Sequence, residues 1–233
     1  MSTTVRLSMI GGLGNRMFQW AHAKAFCEQN GHELRCEPWV GERIFTLDGY
    51  VPIRPDGTEQ IQLFGYFQSQ ADLIYSRADC RRWFNTRPEI ERRLYHNHGI
   101  SNWSAAHFRR GDYAGAGYPL ISRKAVEAAM IAHGIDGPCI PVSDETPTGD
   151  PDFTGDLSML PDFYRLMRAP VLFRANSTFS WWAATLSHAR VFSPVITGLA
   201  GGVEHDDVPY VEGNWPKCAD GMSFVTDLHL RES

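Results

Sequence analysis

Strands and helices alternate regularly through the second half of this 233-residue chain, and this alternation limits the possible folds more than any other feature. Short apolar runs predict the strands, and the segments between them are long enough for helices. The predicted strands lie at 104–109, 138–143, 171–175 and 190–193, and the helices near 122–133, 157–167 and 178–187. Strands separated by helices of this length form β-α-β units, so we predict an α/β fold with mainly parallel sheets.

The first half contains the same kinds of segment at less regular spacing. Val5, Leu7 and Met9 alternate with polar residues, which predicts a first strand. We also predict a helix at about 17–29 that stops at Asn30-Gly31, a strand at 61–67, and helices at about 69–84, with Ser69 able to cap it, and 88–95. The polar stretch 96–102 lacks periodicity and is the best linker candidate, so we expect two domains, 1–100 and 101–233.

Composition excludes several classes of protein. The net charge of −5 and the pI near 6.0 argue against a nucleic-acid-binding protein, whose binding surface is basic. An anionic ligand remains compatible, because it needs only a local group of arginines. The five cysteines are odd in number and form no CxxC, so neither a disulfide framework nor a zinc site is favoured.

The N-terminal residues do not resemble a secretion signal, and no window resembles a membrane span. We therefore expect a chain without an integral membrane segment, located in a reducing cytoplasm.

A charged cluster, HFRRGDY, ends the predicted strand 104–109. Side chains alternate between the faces of a strand, so we expect His107 and Arg109 to share one face and Arg110 to point away. Gly111 indicates that the strand stops there. Ligands of open α/β sheets bind at the carboxyl ends of strands, which makes an anion site one interpretation. A surface ion pair between an arginine and Asp112 is the other.

A glycine-rich turn, GGLGN at 11–15, joins the first predicted strand to the first helix. It is similar to a dinucleotide-binding fingerprint, but Met17 replaces the third glycine, and no P-loop GK[ST] follows. It is either a tight turn with Asn15 as helix N-cap or a loop whose bare backbone lets a ligand approach closely.

The stretch NSTFSWW, 176–182, brings three hydroxyls to the start of a predicted helix. Free N–H groups and the positive end of the helix dipole make such a position suitable for phosphate. The alternative is plain capping by Ser177 or Thr178, with Trp181 and Trp182 in the core.

Acidic residues follow the predicted strand 138–143. Asp144 could accept hydrogen bonds from a guanine edge or a ribose, or could cap the next turn. Asp150-Pro151-Asp152 has the DxD pattern of some metal-dependent glycosyltransferases, but a loop without metal is favoured because proline, glycine and threonine surround it. His205-Asp206-Asp207 lacks a second histidine at ligand spacing, so we predict no metal site.

We expect the predicted polar groups to lie at one edge of the sheet. They are Arg109 and Arg110, the helix start at 177–180 and Asp144. This combination suits a nucleoside diphosphate as ligand.

These motifs resemble those of one enzyme family. HFRRGDY is similar to the HxRRxD motif of the α-1,2-fucosyltransferases (glycosyltransferase family 11) and their α-1,6- and protein O-fucosyltransferase relatives. GGLGNRMFQWAHAKA resembles that family's GGLGNQMFQYA segment, LFGYFQSQADL its GYFQS stretch, VSDE its strand-end acidic motif and NSTFSWWAATL its C-terminal signature. The five segments occur in the family's order between residues 11 and 186.

The resemblance implies a GT-B-like architecture of two Rossmann-like halves with mainly parallel sheets. Residues 1–100 would form the acceptor side, and residues 101–233 would bind the GDP-sugar. It also implies an inverting transfer of L-fucose from GDP-fucose, as donor substrate, to a glycan hydroxyl, α-1,2 to a galactoside. No metal or other cofactor would be required. Transfer from another GDP-sugar, and a non-catalytic sugar-nucleotide-binding protein, are the alternatives.

By motif position, Arg109 would pair with the β-phosphate, and Arg110 and Asp112 would complete the catalytic motif. Asp112 would orient the arginines. The other residues implied to bind the donor are His107 and Asp144 at the guanine, Ser177, Thr178, Phe179 and Ser180 around the diphosphate, and Gly12, Gly14 and Asn15 near the sugar.

Two departures from the family stand out. The chain looks short for the family, so elements that bind the acceptor could be trimmed. The α-1,6 relatives carry a glutamate shortly after the motif aspartate that has been assigned as the base, whereas the sequence here is Ala-Gly-Ala-Gly at 114–117. The general base therefore has no assignment from sequence.

Overall fold

In a computed structural model of the chain, residues 3–53, 60–68, 70–98, 102–116, 118, 120–194 and 210–212 are described, with the backbone alone at Gln70 and 210–212. The chain divides into two compact units between Arg92 and Arg93. Each unit has its own parallel sheet, which confirms the α/β class predicted from the sequence.

The first unit contains three strands in the order β2-β1-β3, with β1 parallel to both neighbours. Its elements are β1 (Thr4–Leu7), α1 (Leu13–Asn30), β2 (Glu33–Cys36), α2 (Gly41–Ile44), β3 (Ile61–Leu63), a 3₁₀ turn at Gln70–Asp72, α3 (Arg77–Trp83) and α4 (Pro88–His98), which crosses into the second unit. Aromatic side chains dominate the core. The Trp20 ring lies 5.8 Å from that of Trp83 and 5.3 Å from that of Phe84.

The second unit contains five strands in the order β5-β4-β6-β7-β8, parallel except for the last pair. Its elements are β4 (Ser104–Phe108), α5 (Gly111–Ala116), α6 (Arg123–Ala132), β5 (Cys139–Ser143), a 3₁₀ turn at Gly155–Leu157, α7 (Leu160–Arg168), β6 (Val171–Phe173), α8 (Thr178–Leu186), β7 (Arg190–Pro194) and β8 (Tyr210–Glu212). The four predicted strands and three predicted helices are all present. Strand β8, which pairs antiparallel with β7, was not predicted from the sequence.

Helix α1 begins at Leu13, four residues before the predicted start. Gly12 is the N-cap in extended conformation, so the interpretation of Asn15 as N-cap is wrong. Gly14 is buried in the first turn, and this packing outweighs the low helix propensity of glycine. The helix ends as predicted, because Gly31 adopts the left-handed conformation with φ +64°.

Other predictions for the first unit need correction. Strand β3 ends at Leu63, because Gly65 and Phe67 have positive φ angles. In place of one helix at 69–84, a 3₁₀ turn precedes α3, which begins at a capping box between Ser76 and Asp79. Helix α4 extends to His98 and covers the first part of the expected linker. Ser69 lies outside the described residues.

The described cysteines are free thiols. Burial raises the pKa of Cys27 to about 11, with the Lys24 ammonium partly opposing it. Burial likewise raises the pKa of Cys139 to about 11, and of Cys36 and Cys80 still further. In the native chain these thiols are therefore protonated at neutral pH.

No helix among the described residues combines the length and the apolar character that crossing a bilayer requires.

Candidate functional site

In the sheet of the second unit, the order in which strands are added reverses at β4. The chain passes from β4 to β5 on one side of β4 and then to β6 on the other side of β4. In an open parallel sheet, a crevice opens at such a point, outside the carboxyl ends of the two strands. The segments 109–112 and 174–180 follow β4 and β6, and they carry seven of the twelve predicted site residues: Arg109, Arg110, Asp112, Ser177, Thr178, Phe179 and Ser180.

Arg109 lies just past the end of β4, between two carboxylates. Its Nε is 2.9 Å from Oδ1 of Asp112, and its Nη1 is 3.4 Å from Oδ2 of Asp144. The Nε–H has no hydrogen-bond partner among the residues that the structure describes, so Coulombic attraction joins it to Asp112. The guanidinium also lies over the Tyr113 ring, 5.6 Å from its centre. About a third of the side chain, 32%, stays exposed, so the charge is positioned but accessible.

Arg110 has different partners. Its Nη2 donates to the carbonyl of Ile121 at 2.7 Å, and its guanidinium lies 5.5 Å from the centre of the Phe108 ring. The two arginines thus separate, as predicted. The reason given from strand alternation is wrong, because β4 ends at Phe108 and does not include Arg109. The carboxylates of Asp112 and Asp144 position Arg109 instead.

Asp144 connects the ends of β4 and β5. Its Oδ1 accepts a hydrogen bond from the backbone N–H of Arg110 at 2.8 Å, while Oδ2 faces Arg109. Gly111 makes this approach possible, since a Cβ at that position would lie 3.0 Å from Oδ2 of Asp144. Both carboxylate oxygens of Asp144 therefore contact the arginine segment.

His107 is on β4 and only 3% exposed. Its Nδ1 is buried and has no hydrogen-bond partner among the described residues, and its ring lies 5.6 Å from that of Phe179. Burial, together with the smaller effects of the Arg109 and Arg174 charges, lowers the pKa of His107 to about 3. The imidazole is consequently neutral at physiological pH.

The start of α8 is fixed by its own hydroxyls. Ser177 is the N-cap, and its Oγ accepts from the Phe179 N–H at 3.3 Å. Ser180 is fully buried, and its Oγ lies 3.1 Å from the carbonyl of Ala175. Thr178 and Phe179 are half-buried. Capping by Ser177 is confirmed, and so is the burial of Trp181 and Trp182, which are 0% exposed. The phosphate role stays a prediction.

Two further residues belong to this site and were not identified from sequence. The Tyr113 hydroxyl donates to the carbonyl of Asn176 at 2.6 Å, which joins α5 to the segment before α8. Arg174 is fully buried, with Nε donating to Ser193 Oγ at 2.8 Å. The position of Arg174 directly after the apolar run 171–173 could have identified it as a strand-end site residue from the sequence. No comparable pattern identifies Tyr113.

A cavity of about 500 Å³ opens on the Arg110 side of the sheet. Two arginines, Arg110 and Arg123, line it together with the carboxylate residue Glu145 and the apolar side chains of Phe108 and Pro141. Its mixture of apolar surface and charges of both signs suits a polar ring compound.

The glycine-rich loop belongs to the first unit. Gly11 has a φ of +79°, and Gly12 is the N-cap of α1 in extended conformation. Asn15 accepts a hydrogen bond from Gln68 Nε2 at 3.0 Å. The structure therefore brings together the predicted residues of the second unit, while Gly12, Gly14 and Asn15 lie in the other unit.

The DxD pattern has partners within the fold. Asp150 Oδ2 lies 2.6 Å from His98 Nε2, and Asp152 is 3.4 Å from Asn97 Nδ2. In the described part of the chain, no group of three or more His, Cys, Asp or Glu residues could hold a metal ion. The His205-Asp206-Asp207 run lies outside the described residues.

No protein-family model matches the chain, and no curated protein matches it either. Solved structures do match. NodZ, an α-1,6-fucosyltransferase from Bradyrhizobium that was co-crystallised with GDP, has a TM-score of 0.56 and 15% identity, covering 91% of this chain and 99% of NodZ. FUT1 from Arabidopsis thaliana, in complex with GDP, has a TM-score of 0.57 and 10% identity, covering 94% and 77%. At these identities the likeness shows a shared fold.

Proposed function

We propose that this chain is an inverting glycosyltransferase that moves L-fucose from GDP-fucose to a glycan hydroxyl, α-1,2 to a galactoside. The observation that carries the proposal is Arg109, a guanidinium held by two carboxylates at the crevice between β4 and β6 and still 32% exposed. The shared fold adds support, since NodZ has been crystallised with GDP and soaked with GDP-fucose.

In the proposed reaction, the acceptor oxygen attacks the anomeric carbon of fucose while the bond from that carbon to the β-phosphate oxygen breaks. Negative charge then grows on the departing GDP. A preorganised guanidinium at Arg109 stabilises this charge more strongly in the transition state than in the ground state, so it increases kcat. A guanidinium also engages two phosphate oxygens with a rigid planar fork of N–H donors, which an ammonium lacks.

The remaining donor contacts follow from the second unit. The buried Nδ1 of His107 lacks a partner among the described residues, so a polar group of the nucleoside would satisfy it. The N–H groups at the start of α8, residues 177–180, would receive the diphosphate. Asp144 would accept from guanine in addition to holding Arg109 and Arg110. No metal or other cofactor is required in this scheme.

We further propose a GT-B arrangement in which residues 1–100 provide the acceptor side, with Gly12, Gly14 and Asn15 near the sugar. Asp112 is 66% exposed and paired with Arg109, which supports the proposed role in orienting the arginines. The general base that takes the acceptor proton has no assignment; Asp112 is the nearest candidate, although its proposed role is to orient the arginines.

The test is incubation of the purified chain with GDP-fucose and a panel of β-galactosides, with products identified by mass spectrometry. A product heavier by one deoxyhexose, with an α-1,2 linkage by NMR, is expected. Faster turnover of GDP-mannose would instead show another donor. Binding of GDP-fucose with neither transfer nor hydrolysis would show a non-catalytic binding protein.

A further inference from the structure

Three residues form a row one position past the strand ends of the first-unit sheet. Leu7 pairs with Cys36 on one side and with Leu63 on the other, so the next residues in register are Ser8, Glu37 and Phe64. Backbone hydrogen bonds continue into this row, from Glu37 N to Leu7 O at 3.2 Å and from Ser8 N to Leu63 O at 3.4 Å. A hydroxyl, a carboxylate and an aromatic ring thus follow the carboxyl ends of adjacent strands.

This edge is also where the first-unit sheet changes direction. The chain goes from β1 to β2 on one side of β1 and then to β3 on the other side. The crevice expected at such a point lies between the loops that follow β1 and β3. Those two loops are the glycine-rich turn and the segment 64–68, which we name the aromatic loop.

The aromatic loop exposes two large rings to solvent. Phe64 is 72% exposed and Tyr66 is 45% exposed. The other large hydrophobic side chains that are exposed in the described part of the chain are well separated in sequence, at Tyr95, Trp103 and Ile131. Exposed apolar side chains scattered singly are ordinary, whereas two within three residues at a ligand-binding edge indicate a binding surface.

The fold holds this loop in a costly conformation. Phe67 has a φ of +50°, which is uncommon for a residue with a bulky side chain. Its ring stacks on His22, with centres 4.2 Å apart and planes within 4°. The His22 Nδ1 lies 2.8 Å from the Asp72 carbonyl, which can only accept, so this nitrogen carries the proton. Strain of this kind persists where surrounding contacts impose it, often at ligand-binding sites.

A second anchor joins the aromatic loop to the glycine-rich turn. Gln68 is 6% exposed and donates from Nε2 to Asn15 Oδ1 at 3.0 Å. With Phe67 and Gln68 both fixed, the rings at positions 64 and 66 have little backbone freedom. A preorganised pair of rings loses less entropy on binding a ligand than a flexible pair would.

Polar groups in the same row narrow the chemistry of the ligand. The Glu37 side chain is 36% exposed; its Oε1 accepts from Ser8 Oγ at 3.2 Å and from Arg6 Nη2 at 3.3 Å, and its Oε2 accepts from the Met9 N–H at 3.3 Å. A carboxylate has about four acceptor positions, so one is left for a hydrogen bond from a bound hydroxyl. The two exposed rings flank Gly65 and are too few to form the broad apolar patch that a stable protein interface requires.

We propose that the aromatic loop and Glu37 form a binding site for a pyranose ring of the acceptor glycan, an inference that rests on the proposed function. A pyranose has C–H groups on one face, which carry partial positive charge and pack against the negative face of an aromatic ring. Its hydroxyls lie around the rim, where the Glu37 carboxylate accepts from them. The site therefore selects the acceptor sugar and not the nucleotide donor.

The experiment compares the wild type with the double variant Phe64→Ala/Tyr66→Ala and with the control Tyr95→Ala. Tyr95 is 54% exposed, which matches the exposure of the replaced rings, but it lies on α4. Binding of lactose, N-acetyllactosamine and methyl β-D-galactopyranoside is measured by saturation-transfer NMR and calorimetry. GDP-fucose affinity and its hydrolysis without acceptor are measured on the same samples.

We expect the double variant to bind the galactosides at least about tenfold more weakly, since both rings that stack on the sugar are lost. GDP-fucose affinity and hydrolysis should not change, and Tyr95→Ala should resemble the wild type. Equal galactoside affinity in the double variant overturns the proposal, as does a wild type that binds GDP-fucose but none of the three glycans. A change only in self-association, seen by light scattering, shows a protein contact instead. Failure of the wild type to bind GDP-fucose overturns the proposed function itself.

Discussion

The carboxylate of Asp144 holds the backbone of Arg110 in place, with Oδ1 accepting from the Arg110 N–H at 2.8 Å. This contact joins the ends of two adjacent strands across the sheet edge. It fixes the direction in which the chain leaves β4, and hence where the Arg109 guanidinium lies. The sequence predicts Asp144 to be a ligand contact. In the fold, Asp144 also supports the segment that contains Arg109 and Arg110.

Replacing the two arginines should have unequal effects. Arg109→Ala is expected to lower kcat by about 10²–10³ or below detection, because a preorganised charge for the leaving group is lost. Arg109→Lys should recover little activity, since it lacks the planar fork. Arg110→Ala should keep a reduced rate, because its side chain bonds to Ile121 O and not to the crevice. Measured kcat and KM, with circular dichroism as folding control, check this.

The opposite ranking, with Arg110→Ala inactive and Arg109→Ala near normal, would assign the phosphate contact to Arg110. If both variants stay active, the HFRRGDY segment is only a surface ion-pair cluster.

Two glycines of α5 offer a matched comparison. Gly111→Ala should lower kcat, because the added Cβ would lie 3.0 Å from Asp144 Oδ2 and displace it. At Gly115 no atom of the described residues lies within 4 Å of an added Cβ. Gly115→Ala should therefore keep full activity and raise the free energy of unfolding by up to about 1 kcal/mol. Kinetics and urea denaturation of the two variants provide the measurement. Equal activity in both would show that Asp144 tolerates displacement.

The preference for guanine nucleotides should depend on the carboxylate of Asp144, directly after β5. GDP is expected to inhibit transfer far better than UDP or ADP, because a site built to accept from guanine N–H groups rejects bases that lack them. Asp144→Ala should reduce the difference between the inhibition constants of GDP and those of UDP and ADP, whereas Glu145→Ala, which removes the same charge one residue later, should not. The measurement is the inhibition constant of each of the three nucleotides. A reduced difference only in Glu145→Ala would place guanine in the cavity that Glu145 lines.

Acid should destabilise the native chain through His107. The unfolded chain binds a proton at this residue below its ordinary pKa of 6.5, but in the native chain burial lowers the pKa to about 3. The stabilisation is thus complete above pH 6.5 and is lost as the pH falls from 6.5 towards 3, by about 2 kcal/mol at pH 5. Between pH 7 and 5, unfolding free energies from urea titrations should fall less in His107→Gln. An unchanged slope would mean that native His107 is already charged.

Chelation of metal ions should leave transfer unaffected. In the proposed mechanism, the charge of the diphosphate is met by Arg109 and by N–H groups of α8. Rates measured with and without EDTA are expected to agree. Activity that is lost in EDTA and restored by manganese would reassign the Asp150-Pro151-Asp152 run as a metal site.

The sequence predicts the second unit well because its strands are apolar runs of ordinary length separated by clear turns. It fails for β2 because Arg35 is buried inside that strand, 2.7 Å from Glu33, so a charged pair interrupts the apolar pattern. It also fails for α5, where two glycines in six residues argue against a helix. Contacts from Tyr113 to Asn176 and from Arg110 to Asp144 stabilise that segment after folding.

The composition of the candidate site could be predicted, since charged and hydroxyl residues follow predicted strands. Its geometry could not be predicted from local patterns. The bond from Arg110 to Asp144 spans 34 residues, and the bond from Tyr113 to Asn176 spans 63. Such contacts depend on strand order, and no local periodicity contains that order.

The buried thiols of this chain can report how often the structure around them opens. Cys27, Cys36 and Cys80 lie in the first unit and Cys139 lies in the second. Because Cys27, Cys36 and Cys80 are buried and protonated, an alkylating reagent reacts with them only when the surrounding structure opens, whereas the half-buried Cys139 is partly accessible in the native chain. With Cys139 and Cys218 replaced by serine, the rates at which the three remaining thiols are modified would record how often the first unit opens, without any added label.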